Sequence, residues 1–214
     1  MSALQRFALS AIAILTLTIA GCFVSSTNPL SDPATSTPDD KLFGLWLEKD
    51  ERETQVWTIG RASNESDAKN VPAGLMRAAA TRINNQNEVG TPGSLLFFVT
   101  TLGEGTYLNV WDDDLAGKSI KDWKQVKIPG YMVIKYRVVG DSLELWHGNY
   151  DRVASVIDKG LVKGEITREK NGSVKTAGLT DTTENLARFM QNGGDKLLYG
   201  EKPDRILTRL RPGK

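Results

Sequence analysis

The stretch YMVIKYRVVGDSLELW, residues 131–146, constrains the fold more than any other part of the chain. Met132, Ile134, Tyr136 and Val138 alternate with Val133, Lys135 and Arg137, and after Gly140-Asp141 the apolar Leu143 and Leu145 alternate with Ser142 and Glu144. A period of two sends successive side chains to opposite faces of an extended backbone, so the pattern predicts two half-buried strands. The Gly-Asp pair between them supplies a tight turn, and the whole reads as an antiparallel hairpin. Similar runs occur at LFGLWLEK, TQVWTIGR, SLLFFVTTL, TYLNVW, LVKGEITR and RILTRLR, most of them set apart by Gly, Asn or Asp. TLGEGTY, with Gly103 and Gly105, lacks the lysine and hydroxyl of a phosphate loop and reads as the tip joining two strands. Regular short strands with such turns predict a mainly β fold, an antiparallel barrel or sandwich.

Two segments break the period. In DRVASVIDKG, residues 151–160, Val153, Val156 and Ile157 recur at helical spacing and Gly160 is placed to cap a C-terminus. In TDTTENLARFMQNGG, residues 180–194, Asp181 stands three residues before Glu184 in the manner of a capping box, followed by Leu186, Phe189 and Met190 on one face. These predict two short amphipathic helices near the C-terminus, lying on the sheet. GLMRAAATRIN, residues 74–84, suits either state, and its place between strand-like runs favours a strand.

The N-terminus carries a different kind of signal. Arg6 precedes an uncharged run, residues 7–21, rich in Ala, Ile and Leu. A positive start, an apolar stretch and small residues at its end are the layout of a secretory signal peptide. The run is short for a membrane span, which needs about 20 apolar residues. The single cysteine of the chain, Cys22, follows directly. Ile19-Ala20-Gly21-Cys22 resembles the lipobox of bacterial lipoproteins, in which the cysteine thiol receives diacylglycerol, the chain is cut before it, and the new amino terminus usually takes a third acyl chain. The resemblance implies that residues 1–21 are a signal peptide, that Cys22 is lipidated, and that the protein is exported to the bacterial cell envelope and held on a membrane. Phe23 is not the aspartate that resembles an inner-membrane retention signal, which in a two-membrane bacterium favours the outer membrane, facing the periplasm.

Of the nineteen residues 23–41, ten are Ser, Thr or Pro. That composition predicts, over residues 22–41, a tether with little to bury, with a reach of about 25 Å as a coil. Residues 42–214 are then enough for one β-rich domain and too few for two. Without Arg6 the 27 basic side chains become 26, against 26 acidic ones. A balanced surface argues against nucleic acid as partner and against strong electrostatic docking on anionic lipid.

Inventory excludes much catalytic chemistry. His147 is the one histidine, so multi-histidine metal sites are excluded, and no G-x-S-x-G nucleophile motif accompanies it. Asp112, Asp113 and Asp114 invite a calcium reading, yet against an EF-hand loop position five is Ala116 and position twelve is Trp123, where oxygen ligands are required. No metal or cofactor is expected, and the acidic run reads as a solvated turn.

The tryptophans remain. Gly44-x-Trp46, opening the first strand, resembles the start motif of the lipocalin family of ligand-binding β-barrels, in which a tryptophan plugs one end of the barrel. A helix before the last strand departs from the order usual in that family. Trp46, Trp57 and Trp146 sit in alternating strands and are expected on one face; with Trp111 they are the candidate ligand-binding residues, core filling being the plainer account of the same rings. The expected function is a lipid-anchored envelope protein with a β-rich domain that binds a small hydrophobic ligand or an envelope protein. The alternatives are an envelope hydrolase, using a carboxylate pair or His147, and a purely structural envelope component.

Overall fold

At the β-hairpin read most clearly from the sequence, Gly140 holds φ at +58°, the left-handed region a tight turn needs, and the strands on either side pair from Val139↔Ser142 to Lys135↔Trp146. The computed structural model describes residues 23–50, 53–62, 70–112, 128 and 130–211. Its elements are β1 (Val24–Ser26), β2 (Gly44–Lys49), β3 (Glu53–Arg61), β4 (Met76–Asn84), β5 (Gly93–Leu102), β6 (Gly105–Asp112), β7 (Tyr131–Val139), β8 (Ser142–Trp146), α1 (Tyr150–Asp158), β9 (Gly164–Arg168), β10 (Val174–Leu179), α2 (Thr183–Phe189), α3 (Asp195–Leu198) and β11 (Arg205–Leu210). The fold is mainly β, and of the two architectures expected it is the barrel.

Strands β2 to β8 each pair antiparallel with the next, and β11 returns between β8 and β2 to close a ring of eight. Closure removes the free edges that an open sheet exposes. The inner wall is built from alternate residues, with Trp46, Met76, Phe97, Val110, Tyr136, Leu143 and Leu207 all nearly excluded from solvent in one cluster. Large side chains face small ones: Trp57 lies opposite Ala80, and Ile59 opposite Ala78. Residues 74–84 thus contribute strand β4 from Met76 onward, and Ala78 and Ala80 accommodate the larger side chains across from them.

Between β8 and β11 the chain leaves the barrel and builds a side layer. There β1 runs antiparallel to Tyr131–Val133 of β7, beyond the point where β8 has ended, and parallel to β10, which pairs with β9. Helix α1 packs on β9 and β10 so closely that a Cβ on Gly164 would stand 2.3 Å from Ile157 Cδ1. Helix α2 leads into α3 through a kinked turn, Met190–Gly194, in which Gly193 has φ +89°. The N-cap of α2 is Thr182, whose side chain accepts from the Asn185 N–H; the Asp181 carboxylate instead accepts from Lys163 N, Thr182 N and Asn185 Nδ2, tying the helix start to β9.

The segment expected to be a flexible tether is folded wherever it is described. Val24 is fully buried and Leu30 is 1% exposed on the outer wall of β6 and β7. Asn109, buried on that wall, accepts from the Leu30 N–H at 2.8 Å; Ser31 and Thr100 hydroxyls meet at 2.6 Å; and the Ser36 hydroxyl donates to the Val99 carbonyl at 2.9 Å. Asp32 and Asp39 cap two 3-10 turns, Pro33–Thr35 and Asp40–Leu42. The polar residues that made the segment read as disordered serve here as caps and cross-links, and two apolar side chains seat it.

Candidate functional site

The four candidate tryptophans fall into three places. Trp46 and Trp57 face each other across β2 and β3 inside the barrel. Trp111 belongs to an outer cluster with Leu75, Leu96 and Phe98, its ring meeting Tyr131 edge-on at 5.9 Å. Trp146 also points outward, under the side layer, with Lys135 and Arg137 cations 5.9 and 5.6 Å from its ring centre. The expectation that Trp146 shares a face with Trp46 and Trp57 is therefore corrected. In β8 it is Leu143 and Leu145 that face the interior, so the residue after Leu145 must face out.

One end of the barrel is sealed around Trp46. The guanidinium of Arg209 stacks 4.1 Å from its ring centre and donates to the Phe43 and Lys41 carbonyls, while Trp46 Nε1 donates to the Leu42 carbonyl at 2.8 Å. Tyr136, on the inner wall, donates its hydroxyl to Asp39 Oδ2 at 2.8 Å, and burial raises its pKa far above the ordinary phenol range. A 3-10 turn, a tryptophan and two charged side chains thus close this end.

Toward the other end the interior becomes polar. Arg205 makes a bidentate pair with Glu48 and donates to Gln55 Oε1 at 3.3 Å; Gln55 donates to Glu53, and Arg82 lies 3.7 Å from Glu53. Burial draws the Arg205 pKa down to about 10, so the guanidinium remains charged at neutral pH. Its cation sits 5.7 Å from the centre of the Trp57 ring. Trp57 is 9% exposed, and among the described residues its indole Nε1 has no hydrogen-bond partner. The arrangement can receive a hydrogen-bond acceptor at Trp57 beside a fixed positive charge, where the apolar wall of the barrel gives way to its polar end.

Sequence reasoning missed Arg205, Arg209, Glu48 and Gln55. The local pattern points the other way: in RILTRL the more apolar face is Ile206, Thr208 and Leu210, and it is the burial of Leu207 that turns Arg205 and Arg209 inward with it.

His147 is buried, its ring edge-on to Phe23 at 4.9 Å, its backbone N–H donating to the Asp204 carboxylate and its backbone carbonyl accepting from Val24. Burial lowers its pKa, with Asp204 opposing, so the imidazole is neutral at pH 7. Of the acidic run, Asp112 ends β6, while Asp113 and Asp114 lie outside the described residues, as do Cys22 and the signal-like segment. Among the described residues no group of three His, Cys, Asp or Glu side chains is placed to hold a metal ion. Two surface clefts lie outside the barrel, one of about 610 Å³ between the end of α1 and the start of β9, and one of about 340 Å³ between α1 and α3.

Compared with protein-family models, with curated proteins and with solved structures, the chain finds no match.

Proposed function

We propose that the protein is a lipid-anchored component of the bacterial cell envelope whose barrel binds a small, mainly apolar molecule bearing a hydrogen-bond acceptor. The observation that carries this reading is the buried N–H of Trp57, without a partner among the described residues, beside the Arg205 guanidinium. Leaving such a donor unpaired costs about 1–3 kcal/mol, which an acceptor on a bound molecule would recover. Two resemblances support it: Ile19-Ala20-Gly21-Cys22 with the lipobox, which gives the anchor, and Gly44-x-Trp46 with the lipocalins, which gives a barrel plugged at one end by a tryptophan. The address that follows is the outer membrane, facing the periplasm, where the source has two membranes.

Native mass spectrometry of the chain expressed with its own leader and released gently from membranes tests the reading. A reproducible added mass, lost on Trp57→Phe substitution, is the expected result; a bare acylated chain counts against a ligand.

A second reading, an envelope protein as partner, is favoured by Leu45 and Leu210, register partners on the outer wall of β2 and β11 that remain 42% and 36% exposed. Crosslinking from Leu210 in intact envelopes distinguishes it.

A further inference from the structure

We propose that the domain has no spacer beneath it and rests directly on a lipid bilayer, through the face where the chain enters β1. The proposal depends on the lipid anchor at Cys22 put forward above and adds the orientation that such an anchor would impose.

Phe23 already packs against the barrel core and meets the His147 ring edge-on, and Val24 is fully buried, its N–H donating to the His147 carbonyl at 3.0 Å. One peptide unit, about 3.8 Å between Cα atoms, is all that separates Cys22 from a residue held by packing. Acyl chains on Cys22 therefore bring the bilayer to this face instead of to a point some 25 Å away, the reach of a free coil of that length.

The surroundings of the entry point suit a headgroup surface. A Cβ on Gly148 would stand 2.6 Å from Val24 Cγ2 and 3.0 Å from the Leu198 carbonyl, so this turn and the end of α3 meet where the chain enters. Leu197, next to Leu198, is 43% exposed, and Ile206, two residues after the Asp204 that holds His147, is 54% exposed. Asn149 lines a cleft with Leu197 and is exposed, and Glu201 and Lys202, on the way from α3 to β11, are exposed too. Exposed aliphatics reaching the acyl boundary, with a lysine at phosphate level, are how a folded surface lies on a bilayer.

Acylation consumes the single native thiol, so an introduced cysteine is the sole labelling site. Asn149→Cys, at the proposed contact, and Val89→Cys, in the connection from β4 to β5 on the far side of the ring from β8, are each labelled with a bimane fluorophore in the full lipidated chain. Each is reconstituted into phosphatidylcholine vesicles carrying a headgroup nitroxide. The expected result is strong quenching at 149 and little at 89, and loss of the quenching at 149 when about 20 Gly/Ser residues are inserted between Cys22 and Phe23 to restore a coil. A chain that floats with the vesicles and is quenched equally at both positions overturns the docking while leaving the anchor intact. A wild-type chain that fails to float, or a Cys22→Ser chain that floats as well as wild type, overturns the anchor and the proposal with it.

Discussion

The Arg209 guanidinium stacks 4.1 Å from the centre of the Trp46 ring while its N–H groups hold the carbonyls of Lys41 and Phe43, so β11, the last strand of the barrel, seals the end at which β2 begins it. Stacking on a desolvated ring contributes up to about 2 kcal/mol, and charge-assisted hydrogen bonds about 1.5–3 kcal/mol each. Arg209→Ala is expected to destabilise the chain by about 3 kcal/mol, with Arg209→Lys recovering less than half, since an ammonium cannot fork to two carbonyls while lying flat on a ring. Urea titration of residues 22–214 carrying Cys22→Ser, followed by tryptophan fluorescence, measures both.

Glu48 and Arg205 are 19% and 14% exposed at the side chain. Removing one partner leaves a charge with poor access to water, so Glu48→Ala is expected to cost about 3–5 kcal/mol. Replacing both, Glu48→Leu with Arg205→Met, is expected to restore most of that stability and to weaken any ligand that needs the cation. The double variant separates the two roles: recovered stability with unchanged ligand mass would remove Arg205 from the binding site.

The folded N-terminal segment makes a prediction opposite to that of a tether. Residues 23–41 should resist limited proteolysis under native conditions, and Leu30→Ala should lower stability by about 3 kcal/mol, as for other buried leucines. Rapid cleavage in this segment with no loss of domain stability would return it to the role of a linker. The same logic predicts that a chain starting at Leu42 is much less stable than one starting at Phe23, because it lacks β1 and exposes Asn109.

Acid should weaken the fold through His147. Its folded-state pKa lies below 6.5, so the unfolded chain takes up the proton first; its contribution is complete above 6.5 and is lost as pH falls toward the folded value. Wild type is expected to lose stability between pH 7 and pH 5, and His147→Gln to lose less over the same range. Parallel urea midpoints at each pH decide it, and equal slopes would remove His147 as the cause.

Where periodicity was strong the chain was legible. The alternation in residues 131–146 became β7 and β8, the helical spacing in 151–160 became α1, and the glycine after it adopts φ +66°. Closure was not legible, because it depends on β11 crossing back to β2 after some sixty residues spent elsewhere, and local pattern carries no record of partner strands. One omission and one misreading share a cause. Arg205 carries no local sign of its role, and a Ser/Thr/Pro run reads as disordered, because in both cases the polar partners lie far along the chain: Arg205 with Glu48, Ser36 with Val99. Trp146 was misplaced for a simpler reason, since the parity that sends Leu145 inward fixes its neighbour outward.

The parallel pairing of β1 with β10 joins residues 25 and 178, and the barrel closes only when β2 meets β11. A chain threaded through a membrane N-terminus first therefore emerges with its opening strands unable to find their partners until nearly the whole length has crossed. Such long-range closure is slow and leaves strand edges exposed in the interval. If the chain is exported as proposed, the vulnerable moment is translocation itself, before β10 and β11 have emerged to cover the edges of β1 and β2.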